Sequence, residues 1–167
     1  MIDRNALLQW LKEIDGKLKG RTTVVAVGGT AMTLLGLKPS TIDIDLCVTT
    51  KERPQLESAT GKKFKVDIFT DGYILSEQLP DDYSEKAKEI LTLKNLVVKA
   101  LSPVDIIITK AARLNARDEE DIKSLVKFVA KEELMERFYH VVGTYAGNEE
   151  QYRYHMEVIL RRFYSQP

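Results

Sequence analysis

The 167-residue sequence predicts an α+β fold: a mixed β-sheet of about five strands, flanking helices, and a helical C-terminal part. Three observations carry this. Short β-branched runs crowd the first hundred residues. Helical spacing governs the remainder. Between them, "SPVD" at 102–105 is a helix-start signal: Ser102 can cap, Pro103 suits the first helical position, and Asp105 favours the positive end.

Leu7, Trp10, Leu11, Ile14 and Leu18 recur at helical spacing, so an amphipathic helix over 3–18 opens the chain. "TTVVAV" (22–27) is a strand ending at Gly28-Gly29, and "TAMTLLG" is a helix with Gly36 as its C-cap. "STIDIDLCV" is the second strand. "KERPQLESATGK" reads as a polar connection with one helical turn, and "KFKVDIF" (63–69) as a third strand. The stretch 70–84 reads as loop. "AKEILTLKNLVVKALS" gives two strands around a Lys94-Asn95 turn. A helix then runs to about Asn115, and Asp118 caps another whose stripe is Ile122, Leu125, Val126 and Val129. "EELMERFYHVV" and "EEQYRYHMEVILRRF" are two more. Residues 1–101 are the expected core and 102–167 a helical region packed on it as part of one structural domain.

Composition limits the partners. Twenty-five basic and 25 acidic residues give zero formal net charge, so no general nucleic-acid coat of positive charge exists. The single cysteine, Cys47, excludes an internal disulfide and a Cys-cluster zinc site, and points to a reducing cytoplasm. No apolar run approaches the ~20 residues that span a bilayer. The N-terminus, MIDRNALLQW, is too charged for a signal peptide.

Against that ordinary background, Asp43 and Asp45 stand out inside an apolar strand. Alternation puts both on one face, with Ile42, Ile44 and Leu46 on the other. Neighbouring carboxylates repel, and burying one unpaired is costly. A divalent cation relieves both problems, and magnesium suits a few carboxylates completed by water and phosphate oxygens. Asp67, in "KFKVDIF", is a third acid able to reach the same centre. Three acids on two strands is a layout for two-metal phosphoryl chemistry. A sheet edge facing water, or pairing with helix lysines, would also accommodate D-x-D.

Gly28-Gly29-Thr30 lies where a strand turns into a helix. Glycine lets backbone N–H groups approach an anion, a helix start favours one, and Thr30 adds a hydroxyl for a phosphate oxygen. A plain tight turn would use the same glycines. What strengthens the pair is order: strand, glycines, helix, then the strand bearing D-x-D.

"VGGTAMTLLGLKPSTIDIDL" followed by "VDIF" resembles the core signature of the nucleotidyltransferase (polymerase β-like) superfamily. "SPVDIIITKAARLNARDEEDI" resembles the second block of small AbiEii-like nucleotidyltransferases, some of them toxins of toxin–antitoxin pairs. The resemblance implies a nucleotidyltransferase core in 1–101 and a Mg²⁺- (or Mn²⁺-) dependent enzyme. It would move a nucleoside monophosphate from an NTP to a hydroxyl on RNA (tRNA included), protein or a small molecule. Asp43, Asp45 and Asp67 would be catalytic and metal-binding. Gly28, Gly29 and Thr30 would cradle the triphosphate, Lys110 would contact nucleotide phosphates, and Asp118 would support the site. An antitoxin would be a partner. Lys110 also fits a solvated helix face, and Asp118 a simple N-cap. The chain departs from many relatives at Pro39, where they carry arginine, and residues 132–165 match no recognisable acceptor element.

Two other readings compete. A D-x-D after an apolar strand opens HAD-type phosphatases, but Cys47 stands where that pattern wants Thr or Val, and Gly28-Gly29 stays unexplained. A binding module could also retain this fold without activity. His140 and His155 lack metal-ligand spacing. Arg153, Arg161 and Arg162 beside aromatic residues read as a snorkelling helix face or a basic wall for an acceptor.

Overall fold

A computed structural model gives the structure; it describes residues 1–165, and Gln166 and Pro167 of the expected helical region lie outside the described residues. The chain forms two compact units: Met1–Gly72 with Asp81–Leu101, and Tyr73–Pro80 with Ser102 onward.

Numbered along the whole chain, the first unit contains β1 (Ile2–Asp3), α1 (Arg4–Lys17), β2 (Thr22–Ala26), α2 (Gly28–Leu34), β3 (Ser40–Thr41), β4 (Ile44–Val48), α3 (Arg53–Thr60), β5 (Val66–Thr70), α4 (Tyr83–Lys86), β8 (Lys88–Thr92) and β9 (Leu96–Ala100). Five strands lie side by side in the order β5-β4-β2-β9-β8, and β1 pairs with β3 in a separate ribbon. The sheet is mixed: β2–β9 and β4–β5 are parallel, β2–β4 and β8–β9 antiparallel. The central strand β2 buries Thr22, Val24, Val25 and Ala26, which is why it reads as a continuous β-branched run rather than an alternating one.

Helix α1 is capped by Asp3, whose carboxylate accepts the Ala6 N–H at 2.8 Å. Its apolar stripe buries Leu7, Trp10, Leu11 and Ile14. On the same helix, Asp15 accepts the N–H groups of Asn95 and Leu96 at 2.7 and 2.9 Å, fixing the β8–β9 turn. Helix α2 ends in a Schellman motif: Gly36, at φ +75°, donates to Thr33, and Leu37 to Met32.

Several expected boundaries move. "STIDIDLCV" is two strands, because residues 42–43 bend between them. Ile42, expected in the core, is therefore 57% exposed, while Ile44 and Leu46 are buried. The connection after β4 is a full helix, α3, started by Pro54 in its first turn.

The second unit contains the hairpin β6 (Tyr73–Ile74) and β7 (Glu77–Gln78), within the stretch expected to be loop, and helices α5 (Pro103–Ala111), α6 (Ala116–Leu125), α7 (Lys131–Val142) and α8 (Glu149–Phe163). Helix α5 is buried all round from Val104 to Ala111, as the centre of a helical group must be. It stops at Ala111 rather than Asn115; Leu114 turns left-handed, and Asn115 instead caps α6. Asp118 is thus the third helical residue of a capping box, not the N-cap.

Packing around α5 uses polar anchors. Arg137 on α7 grips Asp105 through two hydrogen bonds of 2.9 and 2.7 Å. The Tyr152 hydroxyl donates to the Ile108 carbonyl at 2.8 Å, with its ring edge-on to Phe138. No helix among the described residues is long and apolar enough to cross a membrane.

Candidate active site

The first unit fixes three aspartates around one backbone junction. Antiparallel pairing of β2 with β4 sets Ala26 opposite Leu46, so the chain leaves β2 beside Asp45. There the Val27 N–H donates to the Asp45 carbonyl at 3.0 Å. Gly28 follows at φ +54°, a left-handed conformation that side-chain-bearing residues rarely adopt; a Cβ there would stand 3.6 Å from the Asp45 carboxylate. At Gly29 a Cβ would lie 2.9 Å from the Thr41 hydroxyl. Both positions need glycine, one for its backbone and one for space.

Thr30 closes the junction. It is fully buried; its hydroxyl donates to the Asp43 carbonyl at 3.2 Å and accepts the Asp45 N–H at 2.9 Å. Thr41 donates to the same Asp43 carbonyl at 2.9 Å. The Thr30 hydroxyl thereby ties α2 to the peptide units of both aspartates.

Asp67 joins from β5. The parallel register places Asp45 beside Asp67 and Ile44 beside Val66. Lys65, which the sequence reading passed over, lies between the acids: its Nζ is 3.9 Å from Asp43 Oδ2 and 3.8 Å from Asp67 Oδ2. Its signal was the K-x-D spacing, which puts Lys65 on the Asp67 side of the strand.

Among the described residues, no three His, Cys, Asp or Glu side chains form a group that could hold a metal ion. The donors still fit magnesium, a hard cation that binds one or two carboxylates and completes its shell with water and substrate phosphates. The Lys65 ammonium is a stand-in: a positive charge already seated between Asp43 and Asp67.

Lys110 and Asp118 belong to the second unit. Lys110 is buried, with Nζ 2.8 Å from Asp121 and 3.6 Å from Asp118. Asp118 is wholly buried and accepts Arg113 through Nε at 2.8 Å and Nη2 at 2.7 Å, plus the Asn115 N–H at 3.1 Å. Burial alone would raise its pKa, but the Arg113 hydrogen bonds, the Asn115 N–H and the charges of Arg113 and Lys110 hold it below the usual carboxylate range. Two cations and two anions thus balance locally. Lys110 therefore does not lie on a solvated helix face; its amine is held by Asp121 and Asp118.

Cys47 is buried and its thiol is pushed up by that burial, with Tyr83 Oη 3.6 Å away. His155 Nδ1 lies 2.7 Å from the Ala111 carbonyl, and His140 faces solvent.

Mixed-sheet topology, the glycine junction and the paired acids together define a nucleotidyltransferase class of fold. Over residues 5–166 the chain matches the family model described as "Nucleotidyltransferase of unknown function (DUF6036)", and it belongs to that family of enzymes. Two solved structures share the fold. One is a crystal structure of ANT(2'')-Ia in complex with adenylyl-2''-tobramycin (TM-score 0.57, 13% identity, 82% of this chain and 95% of that one). The other is the solution structure of the antibiotic-resistance factor ANT(2'')-Ia (TM-score 0.57, 11% identity, 98% of this chain and all of that one). A comparison with curated protein sequences finds no match. Family membership sets aside the phosphatase reading.

Proposed function

We propose that the protein transfers a nucleoside monophosphate from an NTP to a hydroxyl acceptor, with Mg²⁺ (or Mn²⁺) held by Asp43, Asp45 and Asp67. The observation that carries this is the junction itself: Thr30 and Val27 lock the glycine turn onto the Asp43–Asp45 backbone, and register locks Asp67 beside Asp45. A triphosphate cradle and a carboxylate cluster are useful together only when rigidly joined.

Each residue then has a task. Gly28 and Gly29 keep the turn free of side chains, and the N–H groups of the first turn of α2 have no intrahelical acceptor, so they can bond phosphate oxygens. Asp43, Asp45 and Asp67 would together hold the cation. Asp67 takes the proton as the acceptor oxygen bonds to the α-phosphorus, the α–β bridging P–O bond breaks and pyrophosphate departs. A cation held there would supply charge compensation and lower the pKa of the attacking hydroxyl. Lys110 and Asp118 act indirectly, by keeping the α5–α6 corner rigid.

The acceptor is a hydroxyl on RNA (tRNA included), protein or a small molecule. ANT(2'')-Ia, whose crystal complex holds adenylyl-2''-tobramycin, supports the small-molecule case by its fold. The likeness to AbiEii-type enzymes supports a toxin neutralised by an antitoxin.

The test is incubation with each α-labelled NTP, Mg²⁺ and separate pools of RNA, protein and polyhydroxylated small molecules. Label enters one pool and disappears with Asp43→Ala. NTP binding without transfer to any pool overturns the enzymatic reading in favour of a binding module. Growth arrest on expression, relieved by Asp43→Ala, tests the toxin role; unimpaired growth refutes it.

A further inference from the structure

We propose that Lys65 is the resident counter-cation of the carboxylate cluster, which a divalent ion must displace to bind. The inference rests on the metal-binding role given above to Asp43, Asp45 and Asp67.

Backbone geometry puts Lys65 there. The Ile44 N–H donates to the Lys65 carbonyl at 3.0 Å, setting Lys65 beside the start of β4 as the same register sets Asp67 beside Asp45. From that position Nζ reaches Asp43 at 3.9 Å and Asp67 at 3.8 Å, bridging acids on different strands. Lys63, two residues earlier, does otherwise: its Nζ lies 4.0 Å from Glu13 and over the Phe64 ring.

The chemistry follows from exposure. The Lys65 side chain is 69% exposed, so its ion pairs are weak and its long stem can swing into water. Without metal, the ammonium offsets repulsion between the Asp43 and Asp67 carboxylates that it bridges. With metal, two like charges would compete for the same oxygens, and the divalent ion wins by its higher charge. Lys65 thereby raises the cation concentration the site needs, and lets the metal-free site stay ordered.

Mn²⁺ binding in the absence of nucleotide, read by calorimetry and by the loss of the free-ion electron-spin signal, tests this without any turnover. Lys65→Met is expected to bind Mn²⁺ roughly 3- to 10-fold more tightly than wild type, the scale of one or two exposed ion pairs. Lys63→Met should match wild type, and Asp45→Asn should bind far more weakly. Raising salt should shrink the Lys65→Met gain, because the competition is between solvent-exposed charges. Metal-free Lys65→Met should melt below wild type, and Mn²⁺ should close the gap. If Lys65→Met binds Mn²⁺ no better than wild type while Asp45→Asn loses it, the counter-cation role is wrong and the metal site stands. Equal gains in Lys63→Met and Lys65→Met would mean general surface charge, and also overturn it. Mn²⁺ binding absent from wild type and Asp45→Asn alike would remove the metal site and this inference with it.

Discussion

The molecule carries two kinds of charge cluster, one in each unit. In the first unit Asp43, Asp67 and Lys65 are partly exposed, and the lysine contacts are near 4 Å. In the second, Lys110, Asp118, Asp121, Asp105 and Arg137 are buried, with several contacts between 2.7 and 2.9 Å. Exposed pairs contribute little to stability and exchange partners readily, whereas buried ones are costly to break. The phosphate and metal site proposed above suits the first arrangement. Helices that must hold one packing suit the second.

If that contrast holds, the largest losses of stability come from the buried set. Arg137→Ala leaves the Asp105 carboxylate buried and unpaired, and should cost about 3–5 kcal/mol. Urea unfolding measures it; a loss below about 1 kcal/mol would show the pair to be dispensable.

Next comes Glu77 on β7, a fully buried carboxylate whose two oxygens meet no side-chain partner among the described residues and no backbone N–H in good hydrogen-bond geometry. Burial pushes its pKa from 4.5 up to about 7, although the nearby backbone N–H groups of Glu77 and Ser76, and after them the Arg113 charge, pull the other way. Tyr145 and Tyr152 feel its charge as well. The folded pKa is raised, so its contribution is intact below pH 4.5 and is lost as pH rises to about 7, where the loss levels off. The full loss is about 3 kcal/mol by the conversion of pKa units to energy. Glu77→Gln should flatten that part of the stability profile and gain on wild type above pH 7. Parallel profiles for the two proteins would show that Glu77 is solvated or paired.

Gly28→Ala follows, forcing a side chain onto φ +54° at about 1–2 kcal/mol. It sharpens the comparison because transfer should fall more than stability does. Smallest is Asn115→Ala, which removes the α6 cap and should cost about 1 kcal/mol with transfer unchanged.

Much of the first unit was legible because its signals are local. Periodicity gave α1, β-branching gave β2, and the order of glycines and acids led to residues the fold brings together. Alternation failed at Ile42, since a bend between two short strands is invisible to a period-two argument. The hairpin at 73–78 was unreadable because two-residue strands carry no pattern. Lys65 was within reach of the same parity rule that found the aspartates. Lys110 was not: its burial depends on Asp118 and Asp121 arriving from another helix, a tertiary fact. Glu77 was hidden for the same reason, as nothing around it in sequence announces a buried acid.

On the proposed function, the exposed cluster performs the chemistry while contributing little to folding. Label transfer from an α-labelled NTP by Asp45→Asn, at a matched fraction of folded protein, tests it most directly. Transfer should fall about a thousandfold or more, the several kcal/mol that a metal-held site supplies, with the unfolding midpoint nearly unmoved. Transfer within a few-fold of wild type, in a protein equally well folded, would contradict it.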